Sequence, residues 1–86
     1  MADLAELVAE AVRRALASSS LMQAMRNGGA YGNELAGKLP RADQRMKLQA
    51  ELAAACSEMK EGTPALDYMN ACLSAFLITR PPSPKQ

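Results

Sequence analysis

The chain has no histidine and no tryptophan, and aromatic residues make up only 3% of its 86 positions. The commonest general base and the commonest metal ligand are therefore both missing, which removes most hydrolases and metalloenzymes. Val8, Val12 and Ile78 are the only Val or Ile residues, far too few for a sheet. Cysteine is limited to Cys56 and Cys72, both set in an apolar helical pattern, the usual place of reduced core thiols. Without a histidine or a second cysteine pair they make neither a zinc site nor an activated nucleophile. One-sided charge is also missing: ten basic residues against nine acidic ones leave +1, which argues against nucleic acid and against an acidic membrane surface as partners. No long apolar run exists either. The longest weakly charged stretch, Tyr68 to Thr79, falls well short of the roughly 20 residues that cross a hydrocarbon core. Asp3, Glu6 and Glu10 stand where a signal peptide would need a basic start and an unbroken apolar segment. The expectation is a soluble, cytoplasmic protein with no membrane insertion.

What the chain does have is Ala, Leu and Met, which carry most of its 49% apolar content and favour helix. At this length one domain is the limit, burying roughly 60 to 65% of the surface its unfolded chain exposes. The pattern predicts an all-α, three-helix protein over residues 1–79. Leu4, Leu7, Val8, Ala11, Val12, Ala15 and Leu16 recur at three- and four-residue steps, so a first helix is expected over about 2–26. Ser18, Ser19 and Ser20 weaken its middle, but the apolar series continues through them to Met22 and Met25. Asn27, Gly28 and Gly29 are expected to stop it. Four glycines and Pro40 between positions 28 and 40 predict a glycine-rich loop, pinned by Tyr31, Leu35 and Leu39. A second helix is expected over about 41–61, with Leu48, Leu52, Ala55, Cys56 and Met59 on its apolar face. Gly62 ends it. Thr63 as N-cap and Pro64 at the first helical position then start a third helix over about 64–79, which should pack antiparallel on the second as a C-terminal hairpin. Pro81, Pro82 and Pro84 make residues 80–86 a proline-rich flexible tail.

Candidate sites are few. The Gly28-Gly29-Ala30-Tyr31-Gly32 run follows a helix rather than a strand and lacks the Gly-Lys-Ser/Thr ending of a phosphate loop, so it reads as backbone punctuation. Lys38, Arg41, Arg45 and Lys47 form a basic cluster with Asp43 among them, which reads first as a solvated face and second as a contact for an acidic protein. Pro81 and Pro84 match a P-x-x-P spacing, but the segment is short enough to be only a chain end. No catalytic, cofactor-binding or metal residue is assigned, and no small-molecule substrate is expected.

The third predicted helix carries the functional expectation. Leu66, Met69, Leu73, Phe76 and Leu77 form one face, while Tyr68, Ala71, Cys72, Ala75 and Ile78 spread apolar character over most of the rest. A helix apolar nearly all round must be covered on more than one side, and two other helices can hardly do so. The expected function is therefore that of a small non-catalytic protein-binding regulator: an inhibitor, adaptor or dedicated chaperone. Tyr68, Met69, Phe76 and Leu77 would be its buried contacts with the partner or part of the core, with Met22 and Met25 near the edge of the groove. The alternative is an obligate homo-oligomer, such as a homodimer, in which a second copy covers the surplus and the protein acts as a structural or scaffold component.

Overall fold

The computed structural model describes residues 3–80; Ala2 and the prolines of the tail lie outside them. Among the described residues the chain forms four helices and no strand: α1 (Leu4–Ala17), α2 (Leu21–Lys38), α3 (Ala42–Ser57) and α4 (Pro64–Ile78). The all-α expectation stands, but the expected three helices are four.

Both corrections arise in the first half of the chain. The single long helix over 2–26 divides at the serines. Ser18 is extended and caps the end of α1, its amide bonding to Ala15 O at 3.1 Å and its hydroxyl to Arg14 O at 3.1 Å. Ser20, also extended, caps the start of α2 by accepting from the Gln23 amide at 3.3 Å. Serine hydroxyls can replace missing helical partners at both kinds of terminus, and three in a row leave the backbone free to turn. The glycine-rich segment expected as a loop is helical from before Gly28 to Lys38, and only Leu39 and Pro40 of it lie outside α2.

The glycines are helical because of what they face. Ala24, Gly28, Gly32 and Ala36 recur every four residues and are all buried, so they form one narrow stripe along α2. A Cβ on Gly28 would stand 2.3 Å from the Tyr68 carbonyl oxygen, and one on Gly32 would stand 2.2 Å from that of Cys72. The backbones of α2 and α4 thus touch where side chains would normally keep helices 8–10 Å apart. The glycine hydrogens point at carbonyl oxygens, as in Cα–H···O contacts between helices. Gly28 meets Tyr68 and Gly32 meets Cys72, so the two helices run in the same direction.

α4 packs most extensively on α2, then on α1 and α3, which makes it the central helix. Tyr68, Met69, Cys72 and Phe76 of α4 join Tyr31, Leu35, Leu39, Leu48, Leu52 and the small residues Ala11, Ala15, Ala24 and Ala36 in one core. Leu4, Leu7, Val8 and Val12 of α1 pack half-buried against it, whereas Leu16, expected on the same stripe, is 68% exposed. Second-helix residues beyond Ser57 leave the helix at Glu58, and Gly62, with φ +79°, turns the chain toward Thr63 and α4. The Thr63 hydroxyl accepts from the Leu66 amide at 3.3 Å.

Candidate functional site

The six residues expected to meet a partner do not share a surface. Tyr68, Met69 and Phe76 are 2%, 0% and 1% exposed and fill the centre of the core. Leu77 is half exposed at the end of α4, where Ile78 and Met46 are also open to solvent. Met22 and Met25 are exposed at the beginning of α2, together with Leu21 and, at the end of α1, Leu16. The structure therefore divides the available apolar surface between two ends of a molecule that measures 41 × 20 × 18 Å.

At the first end, the α1–α2 corner, a groove of about 420 Å³ opens between the helices. The buried Tyr31 and Tyr68 line its base, Arg14 lies over Tyr31, and Ser18, Ser19, Gln23, Asn27 and Glu34 make up the polar part of its lining. The turn at the serines produces this arrangement, because it folds α2 back so that Tyr31 comes under Arg14. The Arg14 guanidinium lies 4.3 Å from the Tyr31 ring centroid, a cation–π contact, and its Nε donates to Glu10 Oε2 at 2.7 Å. Arg13 donates to the other oxygen of the same carboxylate. Held between two arginines, the Glu10 carboxyl is pushed below its usual pKa. Burial pushes both tyrosine hydroxyls upward, with Arg14 opposing it in each case, so both remain protonated at neutral pH.

At the other end the basic cluster is dispersed. Lys38 pairs with Glu34 at 3.3 Å and Arg41 with Asp43 at 2.9 Å. Arg45 turns inward and donates to Ala36 O and Leu39 O at 3.0 Å, to Thr79 O at 2.8 Å and to Phe76 O at 3.4 Å. It therefore caps the last turns of α2 and α4 together, at the negative ends of two parallel helix dipoles. A smaller groove of about 300 Å³ beside it is lined by Pro40, Met46, Gln49, Phe76 and Leu77.

The two thiols are free. Cys72 is buried and its pKa is pushed up to about 12 by desolvation, and Cys56 is moved upward for the same reason. Among the described residues no three His, Cys, Asp or Glu side chains come together in a way that could hold a metal ion, and no helix is long and apolar enough to cross a membrane.

Sequence reasoning missed the corner groove, since Tyr31 read as a loop anchor. The available signal was Ser20-Leu21-Met22-Gln23, which has the S-x-x-Q spacing of a capping box and marks a helix start inside the apparent long helix. No protein-family model, no curated protein and no solved structure matches this chain.

Proposed function

We propose that the chain is a small non-catalytic protein-binding regulator, an inhibitor, adaptor or dedicated chaperone, that engages its partner at the α1–α2 corner. One observation carries this reading. From Leu16 to Met25 there is no charged residue, and Leu16, Leu21, Met22 and Met25 in that stretch are 68%, 50%, 72% and 58% exposed. Isolated apolar side chains on a surface need no explanation, but four gathered in one uncharged stretch beside a polar-lined groove point to an interaction site. Methionines suit such a site because their unbranched, polarizable side chains adapt to a partner's shape. The absence of histidine and the protonated state of both thiols support a role without catalysis.

The second reading, a homo-oligomer, draws support from the exposed Met46, Leu77 and Ile78 at the opposite end, where Lys38 and Arg41 are already paired with carboxylates of the chain and Arg45 is turned onto main-chain carbonyls. The two readings are tested together. Wild-type protein and the double variant Met22→Glu/Met25→Glu serve as baits in extract, and recovered complexes are weighed by light scattering behind a sizing column. The protein-binding reading expects a complex of fixed stoichiometry with a different chain, lost at least tenfold in the variant. Recovery of the same proteins by both baits would overturn it, and a wild-type dimer that takes up no other chain would favour the oligomer.

A further inference from the structure

The charges around the apolar corner are unbalanced. Arg13 and Arg14 precede the uncharged stretch and Arg26 follows it. Glu10 is the single carboxylate bound to both Arg13 and Arg14, and Arg26 makes no ion pair among the described residues. Glu34, which also lines the groove, is paired with Lys38, so that pair adds no net charge. Three guanidiniums against one carboxylate leave two positive charges at this corner, on a chain whose total is +1. Glu6, further back on α1, is the next acidic group felt by Arg13.

Arg14 is also held in a fixed pose. Its guanidinium lies over the Tyr31 ring and its Nε donates to Glu10, with the Tyr68 hydroxyl a further hydrogen-bonding neighbour. The side chain is nonetheless 46% exposed, so a terminal N–H edge faces the groove and can meet an incoming carboxylate. A guanidinium whose plane is already set loses little freedom when a carboxylate docks in the two-pronged manner these groups prefer. Ser18, Ser19, Gln23 and Asn27 in the groove lining can bond to the main chain of whatever carries that carboxylate. Leu16 and Met22 adjoin the lining residues Ala17 and Gln23 along the chain and are exposed.

From this arrangement we infer that the corner recognises an acidic, partly apolar segment of a protein partner, one carboxylate of which enters the groove onto Arg14 while adjacent apolar side chains cover Leu16 and Met22. The inference rests on the protein-binding reading and specifies the partner's chemistry. A second copy of this chain fits less well, since a two-fold contact brings the same surface of each copy together and would set these arginines against one another. Nucleic acid fits less well because the excess positive charge is a local spot beside an apolar group, not a stripe.

The test is selection from a displayed library of random peptides on the full-length protein, followed by titration of synthetic versions. Selected peptides are expected to combine Asp or Glu with large apolar residues and to bind less well as salt is raised. Replacing the peptide carboxylates by amides should weaken binding at least tenfold, Arg14→Gln should do the same, and Arg26→Glu, which breaks no ion pair among the described residues, should weaken it several-fold. Peptides that bind Arg14→Gln and Arg26→Glu as well as wild type, or that carry no excess of acid, would overturn the inference. If such non-acidic peptides are nevertheless lost with Met22→Glu/Met25→Glu, the protein-binding reading survives without it. A library that yields no binder overturns the inference as well.

Discussion

Arg45 meets no carboxylate among the described residues, and its charge is used on four main-chain carbonyls while its stem carries the guanidinium to 4.8 Å from the Phe76 ring centroid. Hydrogen bonds from a charged donor contribute roughly 1.5–3 kcal/mol each in favourable cases, and several on one group are not additive. Arg45→Met keeps the apolar stem and removes the cap, so it should cost about 2–3 kcal/mol, read as a lower urea midpoint with an unchanged slope. Arg45→Lys should recover less than half of the loss, because a point ammonium cannot span two helix ends as a planar fork does. Cys72 gives a second residue-level prediction, in pH. Its native pKa of about 12 lies above the unfolded value of 9.0, so between these values the native state holds a proton that the unfolded state has lost. Stability is unaffected by this thiol below pH 9 and falls as pH rises from there toward 12, by up to about 1.4 kcal/mol per pH unit. Tyr31 and Tyr68, also shifted upward by burial, add to the same loss above pH 10. Denaturant melts of wild type and Cys72→Ala at pH 7 and pH 10 isolate the thiol's share: the gap between the two proteins should narrow at the higher pH.

At the scale of the helix, the glycines of α2 divide into two kinds that composition alone cannot distinguish. Gly28 and Gly32 face carbonyls of α4 too closely for a methyl group, while a Cβ on Gly29 or Gly37 would meet nothing within 4 Å. Gly29→Ala and Gly37→Ala should therefore stabilise the protein by roughly 0.5–1 kcal/mol each through helix propensity and a less free unfolded chain. Gly32→Ala should destabilise it by at least about 2 kcal/mol, because two backbones must separate. Thermal melts of the three variants would show opposite signs within one helix. This contrast also explains what was legible beforehand. The start of α4 at Pro64, the turn at Gly62 and the apolar faces around Leu48, Leu52 and Met69 follow from local pattern, and the described structure contains each of them. The helical state of residues 28–38 does not follow locally, since glycine propensity opposes it and only contact with α4 compensates. A reader of the sequence could have noticed the four-residue spacing of Ala24, Gly28, Gly32 and Ala36, but the partner helix that gives it meaning lies some 40 positions away along the chain. The corner groove was hidden for the same reason, as it exists only once α2 is a helix separate from α1.

For the molecule as a whole, the apolar surplus of α4 has an internal explanation. With α2 as a fourth helix, α4 contacts all three others, and of its large apolar residues only Leu77 and Ile78 remain at least half exposed. Pressure to bind something else thus shifts from the middle of the molecule to its ends, and substitutions should divide accordingly. Phe76→Ala, at the centre, should cost about 3–5 kcal/mol, a large part of the 5–15 kcal/mol typical of a whole domain, so loss of binding in that variant would only report unfolding. Met22→Glu/Met25→Glu, at the corner, should alter the stability of the isolated chain by no more than about 0.5 kcal/mol. Melting temperature across a hundredfold dilution then separates the two ways of using the exposed ends. If a second copy covers them, folding is linked to association, and the wild-type melting temperature falls on dilution. If a foreign acidic partner covers the corner, the chain alone melts at one temperature over that range, for wild type and double variant alike. Addition of an acidic peptide in excess of its dissociation constant should then raise the wild-type value and leave that of the variant unchanged, because only a ligand that binds the native surface can draw the equilibrium toward the folded state.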